Sequence, residues 1–272
     1  MSGRLIGCFL LLASHITVNT AHAAQQACTT LMAVVYPNAE PYDWQEAETG
    51  VKQGLSVAVL EALAKKTGLN IHQVASKDAQ KALAEVRSGR VDLIIGVRSD
   101  PKPQRGLDYL SPPYTQQEYR IWRRSAEQVS LQQWPQLSGL RGALTSKPLP
   151  GFEQTAQLLA ESVRYVADDK VATQMVLDGR ADYLIAEQHQ QYLRLQKMGQ
   201  LDVFEAVDPP VASQPLFVAL AKDSACNDQA LRKKLSQGLL ALTQNGVVQN
   251  RLDAVMQRWQ TLHPSQPSAV GE

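Results

Sequence analysis

The sequence predicts an α/β protein built on parallel strands, and three observations carry that prediction. Short β-branched runs alternate with stretches of helical spacing from residue 30 to 96, in the order βαβαβ. A second, similar series follows between 140 and 187. Between them lies the stretch 83–114, LAEVRSGRVDLIIGVRSDPKPQRGLDYLSPPY. There a helix ends near Ser88-Gly89, a buried strand spans 91–96, and its carboxyl end opens into a polar loop carrying Arg98, Ser99 and Arg105. Open α/β sheets form ligand crevices at such strand ends.

The elements can be justified in order. Residues 30–36 (TLMAVVY) read as a strand from their β-branched and apolar run, ended by Pro37-Asn38. A loop with Tyr42 and Trp44 follows. Residues 54–67 place Leu55, Val59, Leu60, Leu63 and Ala64 on one helical face, with Gly68 as cap. Strand 69–74, helix 78–88 and the strand 91–96 complete the first series. Residues 116–124 (QQEYRIWRR) alternate as an extended segment, and 125–137 are polar and irregular, as at a lobe boundary. The second series has strands at 140–144, 163–166 and 181–186. Its helices are at 152–160, at 168–177 under an Asp cap, and after Glu187. A strand at 203–207 is broken by Pro209-Pro210, and a stronger one follows at 215–222. Helices at 228–244 and 247–260 are divided by Asn245-Gly246, and a Pro/Ser tail at 263–272 is expected to be disordered.

The chain of 272 residues has room for two domains and a formal net charge of +1. Without the first segment, which contains Arg4 and no acid, the charge is zero. Nothing in that balance points to nucleic acid or an anionic membrane surface. Residues 1–23 have the form of a secretory signal peptide, with Arg4, an apolar core at 5–13 too short to span a bilayer, and Ala21-His22-Ala23 as cleavage site. Cys8 follows the letters of a lipoprotein box, but the apolar run comes after it, which argues against lipidation. The mature chain is therefore expected to be exported and soluble. It keeps Cys28 and Cys226, an even pair that suggests a disulfide in an oxidising compartment and places both ends of the chain in one lobe. His72, His189 and His263 are scattered, with no HExxH, CxxC or phosphate loop, so no metal and no cofactor are expected.

Taken together, several pieces resemble the bacterial extracellular solute-binding proteins of family 3, the periplasmic amino acid-binding components of ABC transporters. They are Gly54-Leu55 leading into LEALAKKTG, SGRVDLIIGV with a downstream Arg, and Leu110-Ser111-Pro112-Pro113-Tyr114. Further on come Leu137-Ser138-Gly139-Leu140-Arg141, DGRADYLIAE, and LFVALAKDS with Asn245-Gly246. The resemblance runs from about 31 to 259. It implies a type II periplasmic binding protein fold, two α/β lobes joined by two hinge strands with crossings near Glu118 and Val211. Lobe 1 would span 24–118 and 212–262, and lobe 2 would span 119–211. The implied function is capture of a small polar solute, an amino acid first of all, by a periplasmic monomer that delivers it to an inner-membrane ABC permease. Two alternatives stay open: an enzyme on the same fold, similar to cyclohexadienyl dehydratase, and a ligand-sensing subunit for a membrane receptor.

An amino acid offers a carboxylate and an ammonium, so its site needs a donor fork at one end and an acid at the other. The resemblance implies that an Arg after the opening strand binds the carboxylate. Arg105 falls nearest, with one extra residue in the spacing, and Arg98 at the strand end competes with it. Gly96 and Ser99 stand where backbone amides and hydroxyls assist. Glu187 stands where the family places the acid for the ammonium, and Tyr36 and Tyr42 are candidates for aromatic cover. Where the family has a Gly-Thr or Gly-Ser pair, this chain has Thr145-Ser146-Lys147-Pro148. Pro148 lacks an amide donor, so Ser146 or Thr145 would act by hydroxyl, and an organic acid or an amine is also conceivable as ligand.

Overall fold

The computed structural model describes residues 28–46, 48–76, 78–99, 103–125, 137, 139–145 and 161–264. The expected signal peptide, the helix at 152–160, Ser146 and the tail from 265 onward lie outside the described residues.

The first series forms β1 (Thr30–Val35), a small hairpin of β2 (Trp44–Gln45) and β3 (Lys52–Gln53), α1 (Leu55–Thr67), β4 (Asn70–Val74), α2 (Ala79–Arg87) and β5 (Leu93–Val97). Next come β6 (Leu107–Tyr109) and β7 (Thr115–Arg124). The second series supplies β8 (Gly142–Leu144), β9 (Val163–Tyr165), α3 (Asp169–Leu177), β10 (Tyr183–Glu187) and α4 (Gln188–Lys197). A short 3-10 turn (Leu201–Val203), β11 (Phe204–Ala221), α5 (Gln229–Gln244) and α6 (Val247–Leu262) complete the described chain. The helix starts are chemically explicit. Asp78 accepts a hydrogen bond from Lys81 N, Asp168 from Val171 N and Asp228 from Leu231 N. Gly68 closes α1 in the left-handed conformation.

All but the β2–β3 hairpin join one mixed sheet in the order β4-β1-β5-β11-β7-β10-β8-β9, with β6 alongside β11. β4, β1 and β5 run parallel, and so do β10, β8 and β9. In each trio the first strand in sequence lies at the centre, the second outside it and the third toward the middle of the sheet. The same topological switch thus occurs twice, between β1 and β5 and between β8 and β10. Crevices open at the carboxyl ends of strands at such points.

The two trios meet through the antiparallel pair β7–β11. β11 pairs with β7 from Phe204 to Leu216, then passes to β5 and β6 from Phe217 onward. This corrects the sequence expectation that Pro209-Pro210 separates two strands. The strand stays extended through both prolines. The ladder shifts register between Val207 and Ala212, and the Asp208–Pro209 bond is cis. A bulge is a place where a strand tolerates residues without an amide donor. Arg120 on β7 braces this region. It donates to Gln188 Oε1 (2.6 Å) and Glu118 Oε2 (2.9 Å) and pairs with Asp208.

The cores follow the layers. α1, α5 and α6 cover one face of the first half, with Leu55, Leu60, Leu63, Leu235 and Leu239 buried, and α2 covers the other with Leu83 and Val86. In the second half, α3 and α4 enclose Trp122, Val176, Leu184, Leu195 and Phe204. Cys28 and Cys226 are joined by a disulfide, linking the residue just before β1 to the segment before α5 across 198 positions of sequence. Replacing both cysteines by Ser should cost about 3–5 kcal/mol, since the bridge closes a long loop in the unfolded chain. Urea denaturation of the double variant against wild type measures this.

A candidate ligand cleft at the carboxyl ends of the strands

Four expected site groups lie at strand ends that flank the two switch points. Tyr36 follows β1, Arg98 and Ser99 follow β5, Thr145 follows β8, and Glu187 ends β10. β7 runs between the two sets. Glu187 stands directly opposite Tyr119 in the β10–β7 ladder, so the two side chains share a face. Gln117, two residues earlier, lies on that same face. Its side chain is fully buried. Its Oε1 accepts two hydrogen bonds from the Arg98 guanidinium, from Nη2 at 2.7 Å and Nε at 3.2 Å.

The two arginines differ in their surroundings. Arg98 is half-buried, held by Gln117, and its backbone carbonyl accepts a hydrogen bond from the Tyr109 hydroxyl at 2.9 Å. Among the described residues no acid pairs with it, and Gln117 is the one acceptor of its guanidinium N–H groups. Arg105 lies in an exposed turn beyond β5, where its carbonyl accepts from Arg87 Nε.

Glu187 is nearly buried and serves two ends. Its Oε2 accepts from Gln190 N at 2.8 Å, capping α4, and its Oε1 accepts from the Tyr42 hydroxyl at 2.8 Å. His189 Nδ1 is 3.3 Å from both the Tyr42 hydroxyl and Glu187 Oε1. Burial and the neighbouring Glu187 charge raise the Tyr42 hydroxyl far above its ordinary pKa, so it stays a proton donor. A carboxylate offers about four acceptor positions, so Glu187 keeps room for a further donor.

Tyr42 reaches Glu187 because its loop is held against the start of α1. Leu55 N donates to Pro41 O and Ser56 N to Tyr42 O. Gly54 permits this approach. It has φ of 123°, and a Cβ there would stand 2.4 Å from Tyr42 O. Gly96 is comparable. With φ of 92°, it packs against Asn38, whose Nδ2 donates to the carbonyls of Gly96 and Tyr36. Tyr36 is half-buried against the α2-side core, and Ser99 is half-buried at the strand end. Tyr114 is buried with its hydroxyl 2.9 Å from Ser56 Oγ, which is a packing position. Asp182 is bound to Arg141, whose guanidinium holds its carboxyl below the ordinary range.

The structure adds residues that sequence reading missed: Gln117, Tyr119, Asp169, His189 and Arg194. Asp169 Oδ1 accepts from Thr145 Oγ1 at 2.6 Å, and Arg194 pairs with its other oxygen at 3.3 Å. Burial raises the Tyr119 hydroxyl pKa; Arg98 opposes that rise, and Glu187 and Asp169 add to it. Its surroundings therefore include all three charges. The one sequence signal for Gln117 and Tyr119 is that they share the inward register of Ile121 in an alternating strand.

A sequence profile of the bacterial extracellular solute-binding proteins, family 3, matches residues 31–260. The chain belongs to that family. A comparison with curated proteins found no match. Among solved structures, substrate-binding domain 2 of Lactococcus lactis GlnP in its open conformation is similar with a TM-score of 0.67 and 19% identity, over 84% of this chain and 96% of that one. An ancestral cationic amino acid solute-binding protein, AncCDT-1, gives a TM-score of 0.63 at 19% identity, over 85% of this chain and 95% of that one. A histidine kinase sensor domain with similarity to periplasmic binding proteins gives 0.59 at 20% identity, over 88% and 99%. These likenesses identify the fold as the type II periplasmic binding protein fold, two α/β lobes joined by hinge strands. Among the described residues no helix is long and apolar enough to cross a membrane, and no group of His, Cys, Asp and Glu could hold a metal ion.

Replacing Tyr42 with Phe would leave buried Glu187 one donor short. The expected loss is about 1–3 kcal/mol of stability, measured by thermal or urea denaturation at neutral pH. Gly96→Ala should cost a similar amount, about 1–3 kcal/mol, from positive φ and contact with Asn38.

Proposed function

We propose that this protein captures a small zwitterionic solute, an amino acid, in the cleft between its lobes and delivers it to an inner-membrane ABC importer. The observation that carries this reading is the placing of one cationic fork and one acid on a single face. Glu187 stands at the Tyr119 end and Arg98 at the Gln117 end. Two residues of strand separate those ends by about 7 Å. An α-amino acid, with one hydrogen-bond length added at each charged group, fits such a span. Arg98 would take the carboxylate with the N–H groups that Gln117 does not hold, and Glu187 would take the ammonium. Tyr36 and Tyr42 would border the ligand, Ser99 and Thr145 would add hydroxyls, and Tyr119 would supply the floor.

The names of similar proteins support the class, since one binds cationic amino acids and another belongs to a putative amino acid ABC transporter of Streptococcus pneumoniae. We further propose a periplasmic monomer, with a signal peptide cleaved after Ala23 and the lobe limits stated above. The sensor domain among the neighbours keeps a signalling role as a variant of the same binding function.

The test is a thermal-shift screen of amino acids and organic acids, followed by calorimetry with the best binder. Arg98→Ala and Glu187→Gln should each weaken affinity about 30-fold or more, as expected when one partner of a desolvated charge pair is removed. Arg105→Ala should stay within about threefold, the scale of an exposed charge. The reverse pattern would return the carboxylate to Arg105.

A second reading takes its support from His189 and Tyr42 flanking Glu187, a cluster suited to acid–base chemistry. One structural neighbour is an ancestral amino acid-binding protein described as a precursor of cyclohexadienyl dehydratase. Turnover of prephenate or arogenate by the purified protein, lost in Glu187→Gln, would favour the enzyme.

A further inference from the structure

On the other side of β7 from the cleft residues lies a cavity of about 430 Å³. Side chains alternate along a strand, so Trp122 faces away from Gln117 and Tyr119. Trp122, Tyr192 and Phe204 give the cavity aromatic walls. Ala206 is the cross-strand partner of Trp122, and its small side chain leaves the space open. Gln188 and His189 supply polar groups, and Met256 reaches in from α6. The cavity is thus built from both halves of the molecule.

The same seam is apolar beyond the cavity. Trp44 and Trp259 of the first half bury against Leu193 of the second, with Tyr192, Val255 and Met256 packed around them. His189 borders the cavity on one side and the cleft on the other, because its Nδ1 faces the Tyr42 hydroxyl and Glu187 Oε1. Its Nε2 has no partner among the described residues. The Gln188 carbonyl is taken by Arg120, which leaves the amide N–H groups of Gln188 for an acceptor.

We propose that this cavity is a second binding site, for a small planar aromatic molecule carrying one hydrogen-bonding group, and that its occupant holds the two lobes together. The volume falls within the range of small-molecule pockets. Aromatic walls favour a ring through stacked or edge contacts, and the Met256 thioether suits a ring edge. His189 and Gln188 meet the single polar group. A ligand that touches Met256 together with Trp122 and Phe204 contacts both halves at once, so it binds the arrangement seen here in preference to one in which they are displaced. The site does not depend on what the cleft binds.

Indole is a suitable probe, tested on the mature chain without any cleft solute. Calorimetry should show saturable binding at one site, with a Kd on the order of 1 mM for so small a molecule. Indole at tenfold over that Kd should raise the melting temperature by about 3 °C. Ala206→Trp fills the cavity and should weaken indole at least tenfold, with affinity for the cleft solute kept. Met256→Glu, on the partly exposed return helix, should weaken it as well and decides the matter if the tryptophan variant does not fold. Arg98→Ala should bind indole like wild type, which separates this site from the cleft. Absence of saturable indole binding, or unchanged binding in Met256→Glu, would overturn the proposal.

Discussion

The structure depends on one constraint, the antiparallel pairing of β7 with an eighteen-residue β11 that serves both halves of the sheet. One strand cannot pair with β7 at one end and β5 at the other unless the two parallel trios are held edge to edge through it. The strand ends of both trios are thereby set on either side of β7. Gln117 and Tyr119 are therefore central without being at either switch point. They form the surface along which Arg98 from one trio and Glu187 from the other are aligned.

Burial of charge at that surface is a balance of opposing electrostatic terms. Taking an ionised carboxylate out of water costs several kcal/mol when it is left alone. Glu187 is not alone. Tyr42, the Gln190 amide and the positive end of α4 all act on it. Hydrogen bonds to a charged group contribute about 1.5–3 kcal/mol each, so they roughly offset the burial. The acid therefore adds little to net stability, and under the proposed binding mode its contribution would be discrimination. A solute ammonium placed there would add a favourable partner to a group already paired, whereas a solute carboxylate would meet repulsion. The apolar seam of Trp44, Leu193 and Trp259 adds burial that does not discriminate among solutes.

The order of elements was legible because periodicity survives in short segments. The helix at 54–67 and the strand before Arg98 are set by apolar spacing and a terminal glycine, and the structure agrees to within a residue or two. The disulfide was legible from cysteine count and compartment. Three things were not. The hairpin β2–β3 and strand β6 have two or three residues each, too few to show alternation. The continuity of β11 was hidden by Pro209-Pro210, which reads as a break unless the register shift beside it is known. The partner of Tyr42 was hidden by distance, since Glu187 lies 145 positions further along the chain. Spacing put Arg105 first, with Arg98 as its rival at the strand end. Spacing from β5 does not address Gln117, the buried amide on β7 that holds the Arg98 guanidinium.

In the proposed binding mode a zwitterionic solute spans the cleft from Arg98 to Glu187. A crystal structure of the mature protein with its best-binding solute tests it most directly. The account predicts the solute's carboxylate on the Arg98 guanidinium, its ammonium within hydrogen-bond distance of Glu187, and Tyr119 beneath it. A carboxylate bound instead at Arg105, or a solute making no contact with Glu187, would contradict the account.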